Sequence, residues 1–179
     1  MPNSQHRQHG ASLVVALIFL AVLTLVGYSA MNTSILEGSM ASHRQDRERA
    51  LQAAEMALRD AQTYLINNIS GLSGFSKTCV NGLCYNGPLG YGTNPPSGMT
   101  NPVWASSGLM DDNAKTITYG EITGATAISG VAAQPRYLIE GFLKWPPGEP
   151  VPIPYYRIVV RAQGARTSTV VWLQEIFRL

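Results

Sequence analysis

Histidine is scarce in this chain and is missing after residue 43. The three histidines are His6, His9 and His43. Most zinc sites and most general acid–base schemes use histidine, so neither chemistry is expected in residues 44–179. The sequence has no G-x-S-x-G motif, and GYGTNP at 90–95 lacks the last glycine of a dinucleotide fingerprint. We therefore expect no enzyme, no cofactor and no metal site.

Charged residues are also few, at 13% of the chain, and the formal net charge is only +2. No segment carries a stripe of Lys and Arg, so nucleic acid is not an expected partner. Asp111 and Asp112 open the segment DDNAKT, which starts like a calcium loop. It lacks the glycine and the closing glutamate of such a loop, and we interpret it as a solvated turn.

Only two cysteines occur, Cys79 and Cys84, and they flank the sequence VNGL. Asn81-Gly82 is a strong signal for a type I′ hairpin turn, which would place the two cysteines opposite each other. Their Cα atoms would then be about 5 Å apart, a separation that a disulfide tolerates. In an oxidising compartment we expect a disulfide; in the cytosol a pair of free thiols, or a redox or metal pair, is the alternative.

One apolar run dominates the first part of the chain. Residues 11–31 contain no charged side chain, and a helix of that length spans roughly 30 Å, the thickness of a bilayer's hydrocarbon core. The run is longer than the apolar region of a cleaved secretory signal, so a retained membrane anchor is expected. The count of Lys and Arg on its two sides favours a cytoplasmic C-terminal side; because Arg44, Arg47 and Arg49 lie far from the run, the topology stays open.

Residues 32–66 are predicted to continue the helix as an amphipathic half. Apolar side chains recur there at steps of three and four, which marks one helical stripe for packing on a sheet. The members of that stripe are Leu51, Ala54, Leu58, Ala61 and Leu65.

The rest of the chain divides into loops and strands. Residues 67–134 are rich in Gly, Asn, Ser, Thr and Pro and are predicted to form long loops around the cysteine hairpin. Residues 135–179 contain three segments of strand composition and are predicted to form an antiparallel meander. The expected fold is α+β: a long N-terminal helix packed on a small antiparallel sheet with long loops.

Three segments of the sequence, two N-terminal and one C-terminal, carry a family resemblance. HGASLVVALIFLAVLTLVGYSAM, followed by RERALQAAEMALRDAQ, resembles the N-terminal region of PilX-type minor pilins of type IV pili. The C-terminal YRIVVRAQGARTSTVVWLQEIFR is similar to the closing strands of that family. The middle of the chain, 67–134, has no matching motif.

The resemblance implies a role for each part of the chain. Residues 1–10 would be a prepilin leader, which a prepilin peptidase cuts between Gly10 and Ala11 before methylating the new amino terminus at Ala11. The globular part would be periplasmic, which supports the disulfide. The apolar helix would lie first in the inner membrane and later in the core of the pilus fibre, against major and minor pilins.

One position departs from the family's pattern. Major pilins carry Glu at the fifth mature position, where it is thought to pair with the amino terminus of a neighbouring subunit; this chain has Val15 there. A subunit without this carboxylate suits the fibre tip, in a priming complex with other minor pilins and a tip adhesin of the PilY kind. Two alternatives stay open: a type II secretion pseudopilin similar to GspK, or an unprocessed single-pass membrane protein with a periplasmic binding domain.

Overall fold

The computed structural model describes residues 11–87, 103–105 and 108–179, without the side chains of 11, 30 and 32–35. Helix α1 extends over Ala11–Asn68 and so ends two residues after the predicted boundary at residue 66. Five strands follow: β1 (Leu83–Tyr85), β2 (Ile117–Thr118), β3 (Arg136–Lys144), β4 (Ile153–Gln163) and β5 (Val170–Phe177). The chain separates into two compact units, Met1–Arg44 and Gln45–Leu179.

The sheet of the second unit has the order β1-β3-β4-β5, with β2 on the same side of β3 as β1. Strands β3, β4 and β5 pair antiparallel over 136–177, as expected of a meander. The expectation of a purely antiparallel sheet was wrong, because β1 pairs with β3 in parallel. A parallel pair needs a connection of a dozen or more residues, and the long stretch between Tyr85 and Arg136 provides one.

Alternation along β4 decides which face of the sheet meets the helix. Tyr156, Ile158 and Val160 are fully buried and lie in one apolar cluster with α1. The residues between them face the opposite side of the sheet, because successive side chains of a strand point to opposite faces. The sheet is thereby fixed with one face on the helix and the other turned away from it.

The face of α1 that meets the sheet is made mainly of alanine. Ala54, Ala61 and Leu65 are fully buried, and Leu58 is half-buried against the same cluster. Leu51 is 38% exposed, so its place in the predicted stripe was wrong. The buried positions that the prediction missed are Ala50, Ala53 and Ala57.

The reason for this error is geometric. A step pattern of three and four fixes the period of a helix, but it leaves open which side of the stripe is the centre of the contact. Because Leu51 has a large apolar side chain, the prediction placed the centre of the contact on the side of the helix that carries Leu51. In the structure the alanines are central, because small side chains allow the helix backbone to approach the tightly packed sheet.

Two buried carboxylates on α1 hold loops of the second unit. Asp46 accepts a 2.6 Å hydrogen bond from the Ala165 amide, and hydrogen bonding, chiefly by the Thr169 hydroxyl, lowers the pKa of Asp46. Gly164 permits this approach, because a Cβ there would lie 2.5 Å from the Asp46 Oδ1. The turn between β4 and β5 is therefore anchored to the helix by polar contacts as well as by apolar packing.

The second carboxylate is Asp60. It accepts hydrogen bonds from the Gly120 amide, at 3.2 Å, and from the Thr123 hydroxyl. Burial, reinforced by the nearby Asp60 carboxylate, raises the pKa of Tyr137 far above its ordinary value. Tyr137 thus stays neutral at any physiological pH.

Overpacking the alanine face tests this description of the core. Ala57 is fully buried against the sheet, so Ala57→Leu should lower the free energy of unfolding by about 1–3 kcal/mol because the added methyl groups have no space. Gln52→Leu, at a neighbouring exposed helix position, is the control and should change it little. Thermal unfolding of the full chain in detergent, followed by near-ultraviolet circular dichroism, measures both. Equal midpoints for the two variants would contradict the packing.

Candidate functional site: the apolar helix segment and the outer face of the sheet

The first candidate surface is the apolar segment of α1, Ser12–Ser29. Its mean hydropathy is 2.4, and none of it is buried within the chain. The large side chains from Leu13 to Val26 are each at least half exposed. Leaving so much apolar surface in water is strongly unfavourable, at about 25 cal/mol per Å². The segment therefore needs lipid or other apolar helices around it, and by length and composition it is able to cross a membrane.

The predicted processing residues lie at the start of this segment. Gly10 falls outside the described residues, and Ala11 is the first residue of α1. Val15 lies one turn further along the helix with its side chain 51% exposed.

The second candidate surface is the face of the sheet turned away from α1, here called the outer face. It is formed by alternate residues of β3, β4 and β5, the strands whose other residues meet the helix. Its members include Arg136, Leu138, Glu140, Phe142, Arg157, Val159, Arg161, Trp172, Gln174 and Ile176.

The disulfide hairpin covers part of the outer face. Cys79 and Cys84 are bonded, and Asn81 and Gly82 between them both have positive φ, at 51° and 72°. A type I′ turn requires positive φ at both central residues. The predicted turn and disulfide are therefore confirmed. Both cysteines are buried in a small cluster on the outer face that includes Leu138, so the disulfide fastens its loop to the sheet.

Glu140 is the polar centre of the outer face. Its carboxylate is completely buried and pairs at 2.9 Å with the guanidinium of Arg157, which lies directly opposite on β4. The same carboxylate accepts hydrogen bonds from the Asn86 side chain, at 2.5 Å, and from the Val103 amide, at 3.0 Å. One buried charge thus joins two strands to two separate points of the preceding loop region.

No sequence motif predicted a role for Glu140. A charged residue within an apolar strand is itself a signal, because glutamate is rarely buried unless it is paired. Its partner could be found only from the register of β3 with β4, which places Arg157 opposite. The alternation of strand residues alone does not give that register.

The expected solvated turn at Asp111 and Asp112 carries ion pairs. Asp112 lies 3.3 Å from Lys115 and caps the Ala114 amide at 2.9 Å, and that amide hydrogen bond lowers the pKa of Asp112. Asp111 pairs at 3.0 Å with Arg161 of the outer face. Among the described residues no cluster of three metal-ligating side chains occurs.

Two family models match the chain, and together they cover most of it. The model for the PilX N-terminal region matches residues 9–59, which include the apolar segment and the alanine face as far as Ala57. The model for the C-terminal part of the type IV pilus assembly protein PilX matches residues 80–179, more than half of the chain. The chain belongs to the PilX family of type IV pilus assembly proteins. Neither a curated protein nor a solved structure matches it.

Membership of the PilX family accounts for the apolar segment, because it agrees with membrane anchoring through Ser12–Ser29. The globular unit is built on the alanine face and the sheet. The α+β architecture with a long N-terminal helix agrees with a pilin-like fold.

The buried Glu140–Arg157 pair gives a prediction for the outer face. Glu140→Gln keeps the size of the side chain but leaves the Arg157 charge without its partner, so the unfolding free energy should fall by about 3 kcal/mol. The double variant Glu140→Gln/Arg157→Met should recover part of this loss, because no buried charge remains unpaired. Thermal unfolding followed by near-ultraviolet circular dichroism measures these changes.

Glu149→Gln, at an exposed position between β3 and β4, is the matched control for Glu140→Gln. It should unfold like the parent protein. If Glu140→Gln also unfolds like the parent, the ion pair does not hold the loop region to the sheet.

Proposed function

We propose that this PilX protein is a minor pilin that primes or caps assembly of the type IV pilus at or near the fibre tip. The observation that carries the proposal is Val15. Its side chain is apolar and exposed on the helix surface that neighbouring subunits would contact. In the family's major pilins a glutamate at this place is thought to pair with the amino terminus of a neighbouring subunit.

The missing carboxylate has a directional consequence. A subunit with Val15 is unable to pair this position with the amino terminus of another subunit, yet it still offers its own amino terminus to the next one. Such a subunit is suited to be among the first in a fibre and less suited to its shaft. A buried amino terminus without a carboxylate partner would cost several kcal/mol, which disfavours Val15 inside the shaft.

The proposal includes processing and topology. A prepilin peptidase cuts between Gly10 and Ala11 and methylates the amino terminus at Ala11, and the globular unit faces the periplasm. The Cys79–Cys84 disulfide supports a periplasmic location of the globular unit, because structural disulfides persist in oxidising compartments. The helix then passes from the inner membrane to the fibre core, two water-free surroundings that suit one uncharged surface.

The partners in this proposal are other minor pilins, the major pilin and a tip adhesin of the PilY kind. The pilins would contact the apolar segment of α1. The adhesin would meet the globular unit. The pseudopilin alternative has less support, because the family match is to pilus assembly and not to secretion.

Restoring the charge tests the tip assignment. Val15→Glu should move the protein from the tip into the shaft, because the new carboxylate pairs with a neighbouring amino terminus. Val15→Gln, of similar size but uncharged, is the control and should remain at the tip. Immunogold labelling of purified fibres measures the distribution. Even labelling along the fibre by the parent protein would contradict the proposal.

A further inference from the structure

We propose that a cavity on the outer face, lined by Trp104, Trp172 and the Asp111–Arg161 ion pair, binds a neutral sugar in its pyranose form. This inference does not depend on the position of the protein in the fibre.

Two indole rings line the cavity. Their centroids are 6.0 Å apart and their planes are tilted by 44°, so the two rings contact each other and together form one aromatic surface. The cavity beside this surface has a volume of about 250 Å³ and is open to solvent. Aromatic faces are apolar and carry negative charge density, which suits the C–H groups on the flat side of a pyranose ring.

The polar wall of the cavity is an ion pair. Arg161 of β4 lies directly beside Trp172 of β5 in the sheet register, and its guanidinium binds the Asp111 carboxylate at 3.0 Å. The Asp111 side chain is 69% exposed, so its remaining acceptor sites are open to the cavity. Arg161 also keeps further N–H donors, because a guanidinium has five. Paired hydroxyls of a sugar match such a set of neighbouring donors and acceptors.

The sheet register also fixes the geometry of this wall. Arg136, Arg161 and Trp172 follow one another across β3, β4 and β5 on the outer face. Arg136 donates a 3.3 Å hydrogen bond to the Asp111 carbonyl. The turn that carries Asp111 is thus tied to the sheet at two points, and the carboxylate is placed in advance of any ligand.

Packing accounts for only part of this arrangement. Trp104 and Met110 pack against Leu138 and Val159 in the outer-face cluster. Trp172 is 45% exposed and belongs to neither hydrophobic cluster of the described residues, although its ring contacts Trp104. An exposed tryptophan beside an open cavity with convergent polar groups is typical of a ligand site.

The charges favour a neutral ligand. Among the residues that line the cavity, Asp111 neutralises Arg161, so no net charge remains there to attract an acidic sugar. A docked protein side chain is the competing occupant. The mixed wall of indole rings and ion pair fits alternating C–H and O–H groups better than it fits a purely apolar side chain.

Tryptophan fluorescence of the full chain gives a direct test. The protein has three tryptophans, and the variant Trp145→Phe leaves only the two that line the cavity. It is held in a detergent without a sugar headgroup and titrated with methyl β-galactoside, methyl β-glucoside, N-acetylgalactosamine and sialic acid. A saturable change with a dissociation constant in the millimolar range is expected for at least one neutral probe, and none for sialic acid.

Two variants assign the binding to the cavity. Trp172→Ala and Asp111→Asn, in the Trp145→Phe background, should each weaken binding about tenfold, because one removes a stacking face and the other a charged acceptor. Ile176→Ala is the matched control, since Ile176 is an exposed apolar residue on the same face of β5 but outside the cavity wall. It should leave the dissociation constant unchanged. Unchanged thermal midpoints for all three variants confirm that each is folded.

Saturation-transfer difference NMR with the same probes provides a second readout that does not depend on the tryptophans. The proposal is overturned if no neutral pyranoside gives a saturable signal in either measurement. It is also overturned if binding survives unchanged in both Trp172→Ala and Asp111→Asn, or if sialic acid binds more tightly than every neutral probe. Protection of Trp172 by a protein partner without any sugar binding would assign the cavity to protein docking instead.

Discussion

The requirement that the apolar segment of α1 stays out of water governs the whole chain. From Ser12 to Ser29 the helix carries no charged side chain, and none of its residues is buried within the chain. Such a segment has no stable place except lipid or a bundle of similar helices. The globular unit therefore has to be stable on its own core, since it gains nothing from burying this segment. Membership of the PilX family agrees with anchoring of this segment in a membrane and with association of the chain with the pilus.

The core of the globular unit is built to keep one helix close to one sheet. Fully buried alanines such as Ala54 and Ala57 bring the α1 backbone to the sheet, and Asp46 and Asp60 add hydrogen bonds to the loops at either end of that contact. The outer face follows a different principle. There the buried Glu140 carboxylate binds Asn86 and the Val103 amide, and the disulfide fastens its own loop to the sheet. Trp172 stays exposed on this face beside a cavity.

Much of this architecture could be predicted from the sequence, because it depends on local signals. The apolar run, the end of the helix near Asn68, the strand alternation around Ile158 and the turn at Asn81-Gly82 each follow from neighbouring residues. The parallel pairing of β1, the exposure of Leu51 and the Glu140–Arg157 pair depend on register and on the distance between helix and sheet. Those are set by contacts between residues far apart in sequence, which periodicity does not encode. Trp104 and Trp172 meet for the same reason.

We infer that this chain leaves the membrane as a processed subunit of a fibre. Mass spectrometry of sheared and purified pili tests this most directly, because it identifies the amino-terminal residue of the chain and its amount in the fibres. We predict a terminal peptide that begins at Ala11, carries one methyl group on its amino terminus and is present in the fibre fraction in far smaller amount than the major pilin. A chain that retains residues 1–10, stays in the membrane fraction and is missing from the fibres would contradict the claim.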